Sequence, residues 1–204
     1  GKIDAYRQKA EGSQSDDARD LQFFGRKQQT SVNLQALMET GQGNRLERFE
    51  SSSGNNKMSK DAQMRVLIQI ACFLHRELPV RLAHRALELE NTENILNNEQ
   101  IHSVCTWYKQ SFAALRRCSA PIDPAKEEAF AKCVQDIYER HANTLITMAL
   151  GAHHLRKKLG KNISDFSEIR DIQQRLDEFY MSRIGVRMLI GQYLALRKQR
   201  EFGV

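Results

Sequence analysis

The sequence is poor in the residues that break chains and lacks the patterns that do familiar chemistry. Only three prolines, Pro79, Pro121 and Pro124, and one tryptophan occur in 204 residues. No apolar run approaches the roughly 18 to 20 residues that a spanning helix needs, and no short apolar block near the start reads as a secretory signal. A soluble protein is expected, with no membrane span. The four cysteines, Cys72, Cys105, Cys118 and Cys133, include no C-x-x-C pair. Their spacing excludes a zinc finger or a dithiol redox motif, and they read as reduced thiols, mostly in the core. No two histidines stand four apart, and His153 and His154 point to different faces of a helix, so no metal site is expected. G-x-x-x-x-G-K-[ST], G-x-G-x-x-G, D-x-G-x-G and G-x-S-x-G are all missing, which removes phosphate-cradling loops and nucleophile elbows. No catalytic residue is assigned.

What is present is a basic, strongly helical chain. The net charge is +6, but it is dispersed, with small clusters at Arg156 to Lys161 and Arg197 to Arg200. That balance suits an acidic partner without pointing to nucleic acid. Residues 1 to 60 hold six of the eleven glycines, seven serines and no proline, and they divide into a polar arm (1–20), an arm with a short helix (21–41) and a loop insertion (42–60). Within the second part, Ser31 to Thr40 reads as a helix with Leu34, Leu37 and Met38 on one face, Ser31 as its cap and Gly41 as its stop.

From residue 61 onward the helical period takes over, and an all-α, four-helix up-and-down bundle with an extended N-terminal arm is expected. The helices are predicted at about Lys60 to Glu88, with a kink or break at Pro79, at Asn98 to Arg117, at Pro124 to Leu159 and at Ser167 to Arg200. On the fourth, Leu176, Phe179, Tyr180, Ile190 and Leu194 share one sector, and Arg183 and Arg187 fall at its centre. A guanidinium cannot shed its proton in a core, so each needs a carboxylate, a phosphate or several carbonyls opposite it. His141, with Arg140 beside it, sits on the third stripe among Phe130, Val134, Ile137, Met148 and Leu155. Tyr108 sits on the second. Two readings stay open: a structural network satisfied by acids such as Glu77 or Asp177, and a pocket for a small carboxylate lined by Tyr108, His141, Arg183 and Arg187. His141 also admits a phosphoacceptor or general-base reading.

Four strings are more specific than helix: Phe73-Leu74-His75-Arg76-Glu77-Leu78-Pro79-Val80-Arg81-Leu82-Ala83; Trp107-Tyr108-Lys109-Gln110-Ser111-Phe112; Arg140-His141 followed by Thr147-Met148-Ala149-Leu150-Gly151; and Phe179-Tyr180-Met181-Ser182-Arg183-Ile184-Gly185-Val186-Arg187-Met188-Leu189-Ile190. In this order they resemble the N-terminal helical domain of the mitochondrial 2-oxoacid dehydrogenase kinases, the group containing pyruvate dehydrogenase kinase and branched-chain ketoacid dehydrogenase kinase. The resemblance implies a four-helix bundle similar to histidine phosphotransfer domains, in a protein that phosphorylates serine. It implies a pocket for small carboxylates at Leu78, Tyr108, Ser111, His141, Ser182, Arg183, Val186, Arg187 and Ile190. Two residues before Arg140, where pyruvate-type members carry an arginine, this chain has Tyr138. The resemblance also implies docking to a lipoyl domain of the dehydrogenase core, for which Phe73 matches one position, while Thr40 replaces the aromatic expected before Gly41.

The family's ATP-binding domain, with its D-x-G-x-G, should follow the fourth helix, yet the sequence stops at Val204. Beginning at Gly1, the chain also reads as trimmed at its start, in keeping with removal of a mitochondrial presequence. The resemblance therefore implies no cofactor in this chain, and ATP with Mg only where a C-terminal ATPase domain exists. The reading favoured on these grounds is a non-catalytic, structural or interaction subunit of an assembly on the matrix side of the mitochondrion, with protein subunits as partners. The alternative is the regulatory N-terminal half of an ATP-dependent protein serine kinase that inactivates a 2-oxoacid dehydrogenase complex. A free-standing phosphotransfer protein with His141 as acceptor is the third.

Overall fold

A computed structural model describes residues 16–31, 60–91, 98–159 and 166–202. The helix expected at Ser31 to Thr40 and the insertion at 42–60 lie outside these residues, save Ser31 and Lys60. Six helices are present among them: α1 at residues 16–25, α2 Lys60–Glu90, α3 Glu99–Arg117, α4 Pro124–Arg140, α5 Thr144–Leu159 and α6 Phe166–Phe202. No strand occurs among the described residues. The protein is all-α, and no described helix is long and apolar enough to cross a membrane.

The four-position bundle forms as the periodicity predicts. Helix α2 packs on α3 and α6, α3 packs on α5 and α4, and α4 packs on α6, so the α4–α5 pair together fills the third position. The termini of the middle helices are chemically marked. Asn98 is extended and its side chain accepts from the amides of Gln100 and Ile101, closing the open start of α3. Asp123 does the same for Lys126 at 2.8 Å, followed by Pro124 in the first turn of α4. Helix α3 ends at Cys118, whose carbonyl accepts from His75 Nε2 at 2.9 Å.

Pro79 lies inside α2, within the span expected of the first helix, and no break occurs there: the helix continues for eleven residues past it, with the flanking residues Leu78, Val80, Leu82 and Ala83 held in the core on either side. Two expectations are corrected. The single helix expected over Pro124 to Leu159 is two, broken at residues 141–143. The cysteines are free thiols, as expected, but Cys105 alone is buried and the other three are half-buried.

Helix α1 falls where the sequence reads as a polar arm. Its apolar residues are few but well placed: Leu21 and Phe24 are buried, and the Phe24 ring meets Phe112 edge-on at 5.6 Å. Burial of two such side chains contributes about 1.5–3 kcal/mol each. Around them the polar residues find partners on the bundle. Asp20 and Asp17 pair with Arg116 and Arg117 at 2.9 and 2.7 Å, His84 donates to the Lys27 carbonyl, and the Thr30 amide donates to Glu77 Oε1. Residues 16–31 are thus strapped along α2 and α3.

Candidate functional site

The break between α4 and α5 creates the site. Ending α4 at Arg140 leaves carbonyls at the helix C-terminus without amide partners, and that end of the helix dipole is negative. Helix α6 brings guanidinium donors to this end. Arg187 Nη1 donates to the Tyr138 carbonyl at 3.1 Å, and Arg183 Nη2 lies 3.3 and 3.4 Å from the carbonyls of His141 and Ala142. Of the counter-groups that the sequence leaves open for the two arginines, the structure selects carbonyls. Both side chains are half-buried and not in the core. Glu77 takes no part, because it is paired with Arg81 at 2.9 Å, and Asp177 is exposed.

His141 is the corner residue itself. Its φ of −88° and ψ of 8° end α4, and its ring is buried. A chain of hydrogen bonds runs through it. Arg140 Nη1 donates to Ser111 Oγ at 3.0 Å, and Ser111 Oγ is hydrogen-bonded to His141 Nε2 at 2.9 Å. Nδ1 faces Thr144 Oγ1 at 3.4 Å. Burial, followed by the charges of Arg140, Arg183 and Arg187, pushes the His141 pKa down to about 4. The ring is neutral at physiological pH. The Tyr108 ring stands edge-on to it at 4.4 Å and to Phe179 at 5.7 Å. Burial pushes the Tyr108 phenol up to about 12, against the opposing charges of Arg183, Arg85 and Arg187, so it too is neutral.

Three guanidinium groups, from Arg140, Arg183 and Arg187, thus surround a neutral histidine, and among the described residues no carboxylate lies within ion-pair distance of any of them. The buried Nε of Arg183 has no hydrogen-bond partner. Of the other positions marked in the sequence, Leu78, Val186 and Ile190 are buried in the apolar core and Ser182 is half-buried. Phe73 is half-buried and packed against that core. Tyr138 does more than replace a cation: its ring lies under the Arg187 guanidinium, 3.7 Å from Cζ to the ring centre. The contact holds Arg187 by a cation–π attraction. No group of three or more metal-ligating side chains occurs among the described residues.

The family model described as "Mitochondrial branched-chain alpha-ketoacid dehydrogenase kinase" matches residues 31–202, which include every residue of this cluster. The chain belongs to that family. A pyruvate dehydrogenase (acetyl-transferring) kinase, mitochondrial, of Arabidopsis thaliana is 36% identical over 178 residues, covering 87% of this chain and 42% of that protein. Kinase isozyme 3 of Mus musculus and that of Homo sapiens are 38% and 37% identical over 127 residues, each covering 61% of this chain and 30% of theirs. The chain spans less than half the length of these relatives.

Within this family member, two polar clusters escape the sequence reading. Glu127 is fully buried and accepts from the Tyr193 hydroxyl at 2.5 Å and from Arg197 Nε at 3.0 Å. As a glutamate in a first helical turn it reads as an ordinary surface carboxylate; only the fourfold spacing of Tyr193 and Arg197 on α6 hints at a shared partner. Arg85, on α2, is 8% exposed and bonded to Glu88 through Nη2. Its Nε and Nη1 are buried without hydrogen-bond partners.

Proposed function

We propose that this chain is the regulatory helical half of a mitochondrial protein serine kinase that acts on a 2-oxoacid dehydrogenase complex, and that the corner at His141 senses small carboxylates. The observation that carries the reading is the convergence of Arg140, Arg183 and Arg187 on a neutral histidine with no facing acid among the described residues. A carboxylate entering there meets charge-assisted donors from more than one guanidinium, and Ser111, Tyr108 and neutral His141 supply a fixed polar lining. The kinase relatives favour this role over a non-catalytic subunit. ATP and Mg belong to the portion of the kinase that the relatives have beyond this match, and the matrix side of the mitochondrion is the setting in which its partners, the dehydrogenase subunits, are met. Phe73, packed on the core, contributes to lipoyl-domain docking through the surface it supports.

The test is thermal unfolding with a small 2-oxoacid at constant ionic strength. The acid raises the melting temperature of the native sequence. Arg187→Ala abolishes that rise while lowering basal stability by only about 1 kcal/mol, since the arginine's partners are one carbonyl and one ring face. A basal loss of about 3 kcal/mol or more, with no ligand effect in either protein, would make Arg187 a structural latch and end the sensor reading. The kinase role is tested on the native protein from mitochondria: phosphorylation of dehydrogenase serines that responds to 2-oxoacids supports it, and an assembly that binds no ATP returns the non-catalytic subunit.

A further inference from the structure

Helix α6 lines the core along one side and brings arginines to the His141 corner, but a third face of it serves neither purpose. Met181, Ile184, Met188, Gly191 and Ala195 follow one another at spacings of three, four, three and four. That is the 3.5-residue period at which a straight seam runs along one helix and packs against another. The seam is about 21 Å long at helical rise. Met181 is 68% and Ile184 48% exposed, Ala195 is exposed, and Met188 and Gly191 are half-buried. The neighbouring helices stop at its borders: Arg81 of α2 comes up to Gly185 on one side, and the Tyr138 ring of α4 comes up to Gly191 on the other. Between them Met181, Ile184 and Ala195 stay open to solvent.

Both size and charge are graded along this face. The bulky side chains, Met181, Ile184 and Met188, come first, and the small ones, Gly191 and Ala195, come last. Exposed Asp177 stands at the seam position before Met181, with exposed Glu178 beside it, and exposed Lys198 stands at the position after Ala195. A second copy of the helix laid antiparallel sets each gradient against its reverse. Met188 then faces Gly191 of the partner subunit, Ile184 faces Ala195 of the partner subunit, and Met181 faces Lys198 of the partner subunit, whose ammonium lies one turn from Asp177 and Glu178. A twofold axis makes every one of these contacts twice. A parallel copy would instead set methionine on methionine, glycine on glycine and lysine on lysine.

We propose that the outer seam of α6 is a homodimer interface, occupied by the same seam of a second copy of this chain running antiparallel. The proposal goes beyond the carboxylate reading and does not depend on it. A single seam of this length falls below the size of a standard stable interface, so the affinity is in the micromolar range.

Sedimentation equilibrium of the 204-residue chain from about 5 to 500 µM tests this, a range that brackets such an affinity. A reversible monomer–dimer equilibrium is expected. Met181→Lys sets a second ammonium against Lys198 of the partner subunit and should weaken the dimer about tenfold or more. Adding Lys198→Glu to Met181→Lys turns that contact into a pair of opposite charges and should restore affinity to within about threefold of the native chain. Both positions are exposed, so the melting temperature of the dilute monomer should not change in either variant, which separates loss of the dimer from loss of the fold. A chain that is monomeric throughout overturns the proposal and leaves the seam to a helix of another protein. A dimer indifferent to Met181→Lys, or a loss that Lys198→Glu deepens instead of repairing, would likewise overturn the antiparallel pairing.

Discussion

The neutrality of His141 has a measurable cost at low pH. In the unfolded chain its imidazole titrates near the ordinary value of 6.5; in the fold, burial and then the adjacent arginines hold it at about 4. Between these values the unfolded chain takes up a proton that the folded chain refuses, so stability is complete above about pH 6.5 and falls as pH falls toward 4. Going from pH 7 to pH 5 removes about 2 kcal/mol through this one group, and the whole window is worth about 3 kcal/mol. For a chain of this size 2 kcal/mol is about 4 to 8 °C in melting temperature. The comparison is with His141→Gln, which cannot titrate but can still form a hydrogen bond with Ser111. Urea unfolding followed by circular dichroism at pH 7 and pH 5 should show the native sequence losing about 2 kcal/mol more than the variant. Contributions common to the two proteins cancel in this difference. Equal losses in the two proteins would refute the claim that the ring is held neutral by its surroundings.

Two further predictions concern packing remote from the corner. Glu127→Leu removes the acceptor of the fully buried Tyr193 hydroxyl and one partner of Arg197; it should destabilise by about 3 kcal/mol in urea titration, and a loss below about 1 kcal/mol would show that the network is not structural. Gly151→Ala places a Cβ 2.6 Å from Ile101 Cγ1 and 3.1 Å from Asn98 Oδ1, crowding the Asn98 cap that donates to the Gly151 carbonyl. A cost of about 1 to 3 kcal/mol is expected by thermal melting, despite the better helix propensity of alanine.

Helix positions were legible because a 3.6-residue apolar period is a long, redundant signal, and Tyr108, His141, Arg183 and Arg187 were legible because polar residues on an apolar stripe are conspicuous. The corner at residues 141–143 was not. Arg140-His141-Ala142-Asn143-Thr144 contains neither proline nor glycine, and the groups that meet carbonyls at the break, Arg183 and Arg187, lie more than forty residues away in the chain. Nothing local records that. At Pro79 the apolar period outweighed a local breaker, and core burial on both sides holds the helix. Helix α1 was hidden because two buried apolar residues, Leu21 and Phe24, are too few to show a period. Arg85 was missed because an arginine on a helix is ordinarily exposed, and nothing in its local pattern records its burial.

The strap formed by residues 16–31 also sets an order of events in time. Asp17 and Asp20 emerge first during synthesis, but their partners Arg117 and Arg116 follow 100 and 96 residues later. Such long-range closure makes a late folding step. A segment that must wait in water is best served by a charged exterior and very little apolar surface, which is the composition that made it read as an arm.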